Sequence, residues 1–365
     1  MNIGIDASRA FIKERTGTEE YSYQLIKHLA MMDLKNHQIF LYVRKNAIIN
    51  VDLSDNFKLK FISPNKLWTQ IGLASEMIKN KPAVLFIPAY AIPQIHPAKT
   101  IVTIHGLEYR YFPECYSLKE RLLLEFNTKF SIKSASKIIV PSESTKKDLI
   151  KFYGTEENKI KVIHHGISSI KYQILNSKQN KKDFDILFIG RLEKRKNVTS
   201  LIKAFDIFKK NIQYSIPSTQ DNIQLTLVGK AGFEFQEIKK VIQKSLYKDN
   251  IILRNYISES ERNKLYQNAD LFILPSFYEG FGLPVLEAMS YDIPVICSNN
   301  SSLPEIAGDA ALLINPNDIE KIAEAMKKVF SDNSLRNKMI EKGFKNVERF
   351  SWEKCAKETM GVLLN

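Results

Sequence analysis

Two glutamates, Glu279 and Glu287, flank a Gly-x-Gly-x-Pro turn made by Gly280, Gly282 and Pro284. A carboxylate accepts hydrogen bonds from sugar or ribose hydroxyls, and two carboxylates can hold one ligand at two places. Gly280 and Gly282 let the backbone approach a ligand closely. Pro284 falls near a helix start, where a missing N–H does no harm. The amides of Phe281, Gly282 and Leu283 would then open a helix whose N-terminus attracts negative charge. That chemistry suits a ligand carrying both phosphate and hydroxyls. Alone, the stretch also fits an ordinary strand-to-helix turn whose Glu complements the helix dipole, so its neighbours in the fold must decide.

Cations supply the first company. The run Gly190-Arg191-Leu192-Glu193-Lys194-Arg195-Lys196-Asn197 follows an apolar stretch that reads as a strand. Arg191 and Lys196 are therefore expected on a loop at the carboxyl end of a parallel strand, the edge where ligands bind in doubly wound sheets. A guanidinium and an ammonium there suit a diphosphate, because Arg can grip two oxygens at once. Asn197 is the expected N-cap of a helix over 198–209. Gly229 and Lys230 repeat the arrangement after the next strand, and the backbone at Ile257 could face a planar base. In the first half, Gly17 and Thr18 open a helix after the first strand and form a phosphate-approach loop weaker than a full G-x-G-x-x-G. His105 tips an apolar strand over 101–104, again at the ligand edge. A basic loop can also be plain solvated surface, and a lone His is often structural.

Strands and helices alternate throughout, which argues for an α/β protein with parallel sheets. The apolar runs predict strands over 3–6, 39–42, 59–62, 84–87, 101–104, 137–140 and 161–163. A second series falls at 185–190, 224–228, 251–253, 271–274, 294–297 and 311–314. Helices are expected over 21–32, 69–79 and 119–134. Another starts at an N-cap Ser142 and runs to about 152. Three more lie at 317–330, 332–347 and 351–364. Between 166 and 183 the apolar periodicity lapses into Gly, Ser, Asn, Gln and Lys, a linker composition. The expected division is a first domain over 1–168, a linker over 169–183 and a second domain over 184–349.

The 365 residues suffice for two domains with their own cores. A 44% hydrophobic and 25% charged composition is ordinary for a soluble globular protein. Cys115, Cys297 and Cys355 are odd in number and far apart, suggesting neither a disulfide framework nor a zinc site. A reducing cytoplasm is the expected home. No apolar run approaches the roughly 20 residues that span a bilayer, and the chain opens directly into a strand rather than a signal peptide. The net charge is +13, and residues 1–170 carry 24 Lys and Arg against 16 Asp and Glu. No nucleic-acid motif accompanies that charge. It favours an anionic membrane surface or a phosphorylated acceptor over nucleic acid, unless the Lys-rich usage only reflects genome composition.

Taken in order, these pieces resemble the retaining glycosyltransferases of family 4, the group 1 glycosyl transferases with the GT-B fold. The resemblance covers essentially the whole chain. It rests on the Glu-x7-Glu run at 279–287, Gly-Arg-Leu-x3-Lys-Asn at 190–197 and Arg-Thr-Gly-Thr at 15–18. Three further segments support it: 103–114 (Thr-Ile-His-Gly-Leu-Glu-Tyr-Arg-Tyr-Phe-Pro-Glu), Pro141–Ser144 and Val162–Gly166. It implies two Rossmann-like domains facing across a cleft, with the C-terminal helix over 350–365 crossing back to the first.

The resemblance also implies roles. Arg191 and Lys196 hold the nucleotide diphosphate and stabilise it as it leaves. Glu287 binds the ribose hydroxyls, and Glu279 contacts the donor sugar. Gly17 lets a loop reach the diphosphate, and His105 sits near the reacting sugar. Many relatives have His-Asp where this chain has His105-Gly106, so any role of that Asp has no carrier here. Fixed cations at a departing diphosphate make a divalent metal unnecessary. The Asp-x-Asp spelling at Asp183-Phe184-Asp185 falls at the start of a strand, the wrong end for a ligand, and is read as incidental.

The expected function is transfer of a hexosyl group, with GDP-mannose one candidate donor. The acceptor would be a glycan or a lipid-linked chain in surface-polysaccharide or lipopolysaccharide assembly. The site would be cytoplasmic, or peripheral on the inner face of the membrane. A nucleotide-sugar epimerase of the same fold and a non-catalytic sugar-nucleotide-binding protein are the alternatives.

Overall fold

The computed structural model describes residues 1–34, 36–89, 91–167, 183–215 and 223–365. It divides into two compact units, Met1–Ser168 with Phe350–Asn365, and Ser169–Arg349. Apart from Asp183, the expected linker over 169–183 lies outside the described residues.

In the first unit the strands are β1 (Asn2–Asp6), β2 (Gln38–Arg44), β3 (Phe57–Ile62), β4 (Val84–Ile87), β5 (Thr100–Thr103), β6 (Lys137–Val140) and β7 (Ile160–Val162). They form one parallel sheet in the order β3-β2-β1-β4-β5-β6-β7. The helices are α1 (Gly17–Ala30), α2 (Ala74–Lys79), α3 (Glu108–Tyr111), α4 (Leu118–Ser134) and α5 (Glu143–Tyr153). Strands such as Val84–Ile87 are buried at every position, as a sheet covered on both faces requires.

The second unit holds β8 (Phe184–Ile189), α6 (Val198–Ser215), β9 (Ile223–Val228), α7 (Phe235–Lys244), β10 (Ile251–Arg254), α8 (Glu259–Asn268), β11 (Leu271–Leu274), α9 (Leu283–Ser290), β12 (Val295–Ser298), α10 (Leu303–Ala307), β13 (Ala311–Ile314), α11 (Ile319–Ser331) and α12 (Asn333–Val347). Its sheet is also parallel, in the order β10-β9-β8-β11-β12-β13. Each sheet reverses its direction of growth once, between β1 and β4 and between β8 and β11. Ligands bind at the carboxyl ends of strands beside such a reversal.

The last helix, α13 (Trp352–Leu364), returns to the first unit and packs on α1. Ile167 bridges Ser351 just before it. Gly166 is required there, since a Cβ would lie 2.1 Å from the Trp352 amide nitrogen. Trp352, Cys355, Ala356, Met360 and Leu363 join the core that α1 and the β1 face share.

Three local expectations need correction. The first helix begins at Gly17 rather than 21, because Thr16 caps it in a capping box with Glu19. The segment expected as a helix over 69–79 is a π-helical turn, Trp68–Leu73, followed by α2. Leu67 before it is left-handed, at φ 52, which breaks the α-helical path that apolar spacing alone suggests. Asn197 does not take the extended conformation of an N-cap. It is left-handed at φ 58, and its side-chain amide donates to the Pro316 carbonyl at 2.7 Å. Ser142, in contrast, caps α5 as expected, accepting from the Thr145 amide at 3.1 Å. No helix among the described residues is long and apolar enough to cross a membrane.

Candidate active site

The reversal of the second sheet brings two loops together. One leaves β8 at Gly190 and the other leaves β11 and runs to Gly282. The β8 loop is held against the loop after β9 by Leu192, whose amide donates to the Lys230 carbonyl and whose carbonyl accepts from Gly232. Gly229 makes that approach possible. It has φ 157, and a Cβ there would stand 1.8 Å from the Gly190 carbonyl oxygen. The Phe277 amide then donates to the Arg195 carbonyl at 2.9 Å, joining the β8 and β11 loops.

A single 3₁₀ turn over Lys194–Lys196 turns the Lys196 side chain inward. Lys196 is 8% exposed and Glu279 7%, and the ammonium donates to the Glu279 carboxylate at 2.5 Å. The Ser276 hydroxyl donates to the same oxygen at 2.7 Å. Arg195 adds a third contact, with Nη1 3.6 Å from the other Glu279 oxygen and 3.0 Å from the Tyr278 carbonyl. Burial pushes the Glu279 carboxyl up, but Lys196, Arg195 and Ser276 outweigh it and hold it below the usual carboxylate range. Burial likewise draws the Lys196 ammonium down from its ordinary value, opposed in part by the Glu279 charge.

The pair ends a longer ionic chain. Arg195 also donates to Glu193, at 2.7 Å, and the other Glu193 oxygen lies 3.4 Å from Arg191. Arg191 itself is exposed. Three cations against two carboxylates leave the chain with one excess positive charge at a sheet edge, an arrangement suited to an incoming anion.

The Glu279 loop is fixed from behind by the turn after β12. The Glu279 amide donates to Ser301, the Asn300 amide group donates to the Phe277 carbonyl, and the Ser302 hydroxyl lies 2.9 and 2.6 Å from the Glu279 and Phe281 carbonyls. Gly282, at φ 113, precedes α9 and Pro284 stands in its first turn. Glu287 lies one turn along α9 and is held by another element: Tyr266 of α8 donates to it at 2.8 Å and Arg262 stands 3.5 Å away. Lys230 stacks over the exposed ring of Tyr256 at 4.6 Å, and Ile257 follows that ring. Asp185 lies at the opposite, amino end of β8, where its backbone amide donates to the Asp270 carboxylate at 2.9 Å.

In the first unit, His105 follows β5 and its Nε2 faces the Pro88 carbonyl at 2.7 Å. A carbonyl only accepts, so Nε2 carries the proton and Nδ1 is left as an unprotonated acceptor without a hydrogen-bond partner. Burial pushes the imidazole down to about 4, against the Pro88 hydrogen bond. Tyr21 and His165 pack its ring at 4.8 and 5.3 Å between centroids. Gly17 is the first residue of α1, and the space where its Cβ would stand is open to 4 Å. Thr18 follows it, its carbonyl accepting from Ser22.

Family models agree with this architecture. Residues 172–346 match the model for "Glycosyl transferases group 1" and residues 15–169 the model for "Glycosyltransferase Family 4". An O-antigen chain mannosyltransferase B of Escherichia coli is 30% identical over 273 residues, covering 72% of this chain and 70% of that protein. The chain belongs to the family 4, group 1 glycosyl transferases. Two solved structures share the GT-B fold across its length. A sucrose-phosphate synthase from Thermosynechococcus elongatus superposes with TM-score 0.78 at 19% identity, covering 99% of this chain and 98% of its own. WaaG, a glycosyltransferase involved in lipopolysaccharide biosynthesis, superposes with TM-score 0.75 at 15% identity, covering 100% and 99%.

Within this glycosyltransferase, the expected site residues separate into groups. Lys196 and Glu279, assigned to different parts of the donor, meet in one buried pair. Arg191 reaches that pair only through Glu193 and Arg195, and Glu287 is anchored separately on α8. Arg195, Glu193, Ser276, Ser301 and Ser302 complete the site and were not anticipated. Three cations stand in a row at 194–196, and only the turn in the backbone decides which face inward.

Proposed function

We propose that this glycosyltransferase transfers mannose, with retention of configuration and without a metal, from GDP-mannose to a glycan or lipid-linked acceptor. It would work in surface-polysaccharide assembly at the cytoplasmic face of a membrane. The relationship to an O-antigen chain mannosyltransferase supports the sugar and the pathway class. The observation that carries the reading is the buried Lys196–Glu279 pair inside a cationic chain at the sheet reversal.

A departing nucleoside diphosphate develops negative charge on its phosphate oxygens. Lys196 has two N–H directions beyond the one given to Glu279, and Arg191 offers an exposed fork, so both can meet that charge. Their fixed positions replace the charge neutralisation that a divalent ion would supply. Glu279, kept ionised, accepts hydrogen bonds from hydroxyls of the transferred sugar, and Glu287 from those of the ribose. Gly280 and the amides of Phe281, Gly282 and Leu283 line the approach of sugar or phosphate, and the Lys230, Tyr256 and Ile257 edge that of the base. The family resemblance gives His105, Gly17 and Thr18 roles toward the same substrates. In a retaining step the acceptor oxygen bonds to the anomeric carbon on the face that the diphosphate leaves. The acceptor proton passes to the departing phosphate oxygen.

A thermal-shift panel of GDP, UDP, ADP and their sugars tests the donor, since a bound nucleotide stabilises the native state by mass action. Stabilisation by GDP and GDP-mannose, EDTA-insensitive transfer and an α-linked product are expected. Response to UDP alone, loss of transfer in EDTA, or an inverted product would overturn the corresponding part.

A further inference from the structure

Glu193 divides its carboxylate between two arginines. Oε1 accepts from Arg195 twice, from Nε at 3.1 Å and from Nη2 at 2.7 Å. Oε2 stands 3.4 Å from Nε of Arg191. Among the described residues Arg191 has no other ion pair, and its side chain is 63% exposed. Glu193 itself is buried, in extended backbone just before the 3₁₀ turn over Lys194–Lys196. Backbone contacts fix it on both sides. The Leu192 carbonyl accepts from the Gly232 amide at 2.9 Å, and the Lys194 amide donates to the Phe233 carbonyl at 3.1 Å. Gly232 also closes over the pair. A Cβ there would stand 2.8 Å from Oε2 of Glu193 and 3.1 Å from Nε of Arg191. Its φ is not positive, so the glycine answers a need for room rather than for a left-handed backbone.

An exposed arginine gives up side-chain freedom when it grips a ligand, and one already held gives up less. A contact through Nε fixes the guanidinium plane and leaves the Nη1 and Nη2 edge for two phosphate oxygens. The charge of Glu193 acts in the other direction, since a carboxylate beside a cation weakens that cation's attraction for an anion. Glu193 therefore opposes anion binding through its charge and favours it only through the geometry it imposes. We propose that Glu193 is a positioning residue, holding Arg191 toward the departing diphosphate with one oxygen and Arg195 behind Glu279 with the other. One carboxylate thereby aligns the leaving-group end of the site with its sugar end, and Gly232 keeps the room that the alignment needs. This deepens the proposed function and rests on the role given there to Arg191.

The test is a double-mutant cycle on the full chain: wild type, Glu193→Gln, Arg191→Ala and the two combined. Steady-state transfer is measured from GDP-mannose, or from the UDP-sugar or ADP-sugar that the thermal-shift panel selects. In Glu193→Gln the amide oxygen still accepts from Arg195, while the amide nitrogen sets one donor against another at Arg191. There kcat should fall about tenfold to thirtyfold. The donor KM and the nucleotide thermal shift should stay unchanged or improve, because a negative charge beside the cations has gone. Arg191→Ala should lower kcat about a hundredfold, and adding Glu193→Gln to it should lower kcat less than about twofold further. Gly232→Ala, which keeps the carboxylate but crowds it, should reproduce the kcat loss of Glu193→Gln. Equal effects of Glu193→Gln in the two backgrounds would overturn the proposal and leave Arg191 in its role. So would a wild-type kcat in both Glu193→Gln and Gly232→Ala. Full transfer by Arg191→Ala would overturn the role of Arg191 itself, and the proposal with it.

Discussion

Asp6 and Glu279 both stand at the carboxyl edge of a sheet beside its reversal, on opposite sides of that reversal, and their chemistry is opposite. Asp6 ends β1 beside the reversal of the first sheet, and Glu279 follows β11 beside the reversal of the second. Both are nearly buried, at 5% and 7% exposure. Burial pushes Asp6 up to about 6, because the Ser8 hydrogen bonds and the more distant Arg9 and Arg44 do not offset it. Glu279 is held below its ordinary value, since Lys196 touches it and Arg195 stands behind. Burial sets the size of the penalty, and a cation in contact decides which protonation state survives. The second sheet edge is therefore built to hold charge. The first is built around a neutral imidazole, aromatic rings and a carboxyl that gives up its charge readily.

Removing that cation should make Glu279 behave like Asp6. In Lys196→Ala, transfer is expected to fall about a thousandfold or more, because a fixed donor to the leaving group is lost. Stability should drop by about 3–5 kcal/mol, because a buried carboxylate loses its contact ion pair and keeps only Ser276 and Arg195 at 3.6 Å. Steady-state transfer and denaturant unfolding measure the two effects. A Lys196→Met/Glu279→Leu variant separates them, since apolar replacement of both partners should recover stability without activity. Recovery of transfer in that variant would remove the pair from the chemistry.

Arg195→Lys is the next largest effect. A lysine cannot reproduce contacts to Glu193, the Tyr278 carbonyl and Glu279 from one planar fork. Arg195 acts through Glu279 rather than on the donor, so kcat should fall roughly tenfold to a hundredfold while the nucleotide thermal shift is kept. Its pH profile should also move: with the positive charge no longer held against its carboxylate, Glu279 protonates at higher pH, and the acid limb of kcat shifts upward. An unchanged limb would leave Arg195 as loop support alone.

Much of this comparison was legible in the chain. Apolar runs such as 84–87 and 271–274 mark strands buried on both faces, and the Gly-Pro signals around 282–284 mark the start of α9. The pairing of Lys196 with Glu279 was not, because 83 residues separate them and only the adjacency of β8 and β11 brings them together. Asn197 has the composition of a cap, yet its side chain is claimed by Pro316, a partner far along the chain. The π turn at Trp68–Leu73 keeps an apolar pattern that an α-helix would also show.

On the first sheet, Asp6→Asn tests the other half of the contrast. The folded pKa of about 6 lies above the ordinary 3.8, so the protonated group's contribution is full below 3.8 and is lost as pH rises through 6. At pH 7 the buried charge costs on the order of 3 kcal/mol, so the Asn variant should be more stable than the wild type by about 1–3 kcal/mol. Urea unfolding at pH 5, 6, 7 and 8 should show the gap growing with pH. A gap of constant size would mean that Asp6 titrates normally.

The smallest effect concerns Glu287, which resembles neither extreme. It is partly exposed on α9 and keeps a hydroxyl donor, Tyr266, together with Arg262 at 3.5 Å. Tyr266→Phe removes that donor and leaves the ring packed against Tyr291 at 5.2 Å. Glu287 can then swing toward solvent, and its grip on the ribose weakens without touching the departing phosphate. The expected result is a donor KM raised by about threefold to tenfold with kcat unchanged, the loss of one modest hydrogen bond. A fall in kcat of the same size would place Glu287 in the transition state beside Glu279, and the two carboxylates would no longer differ in role.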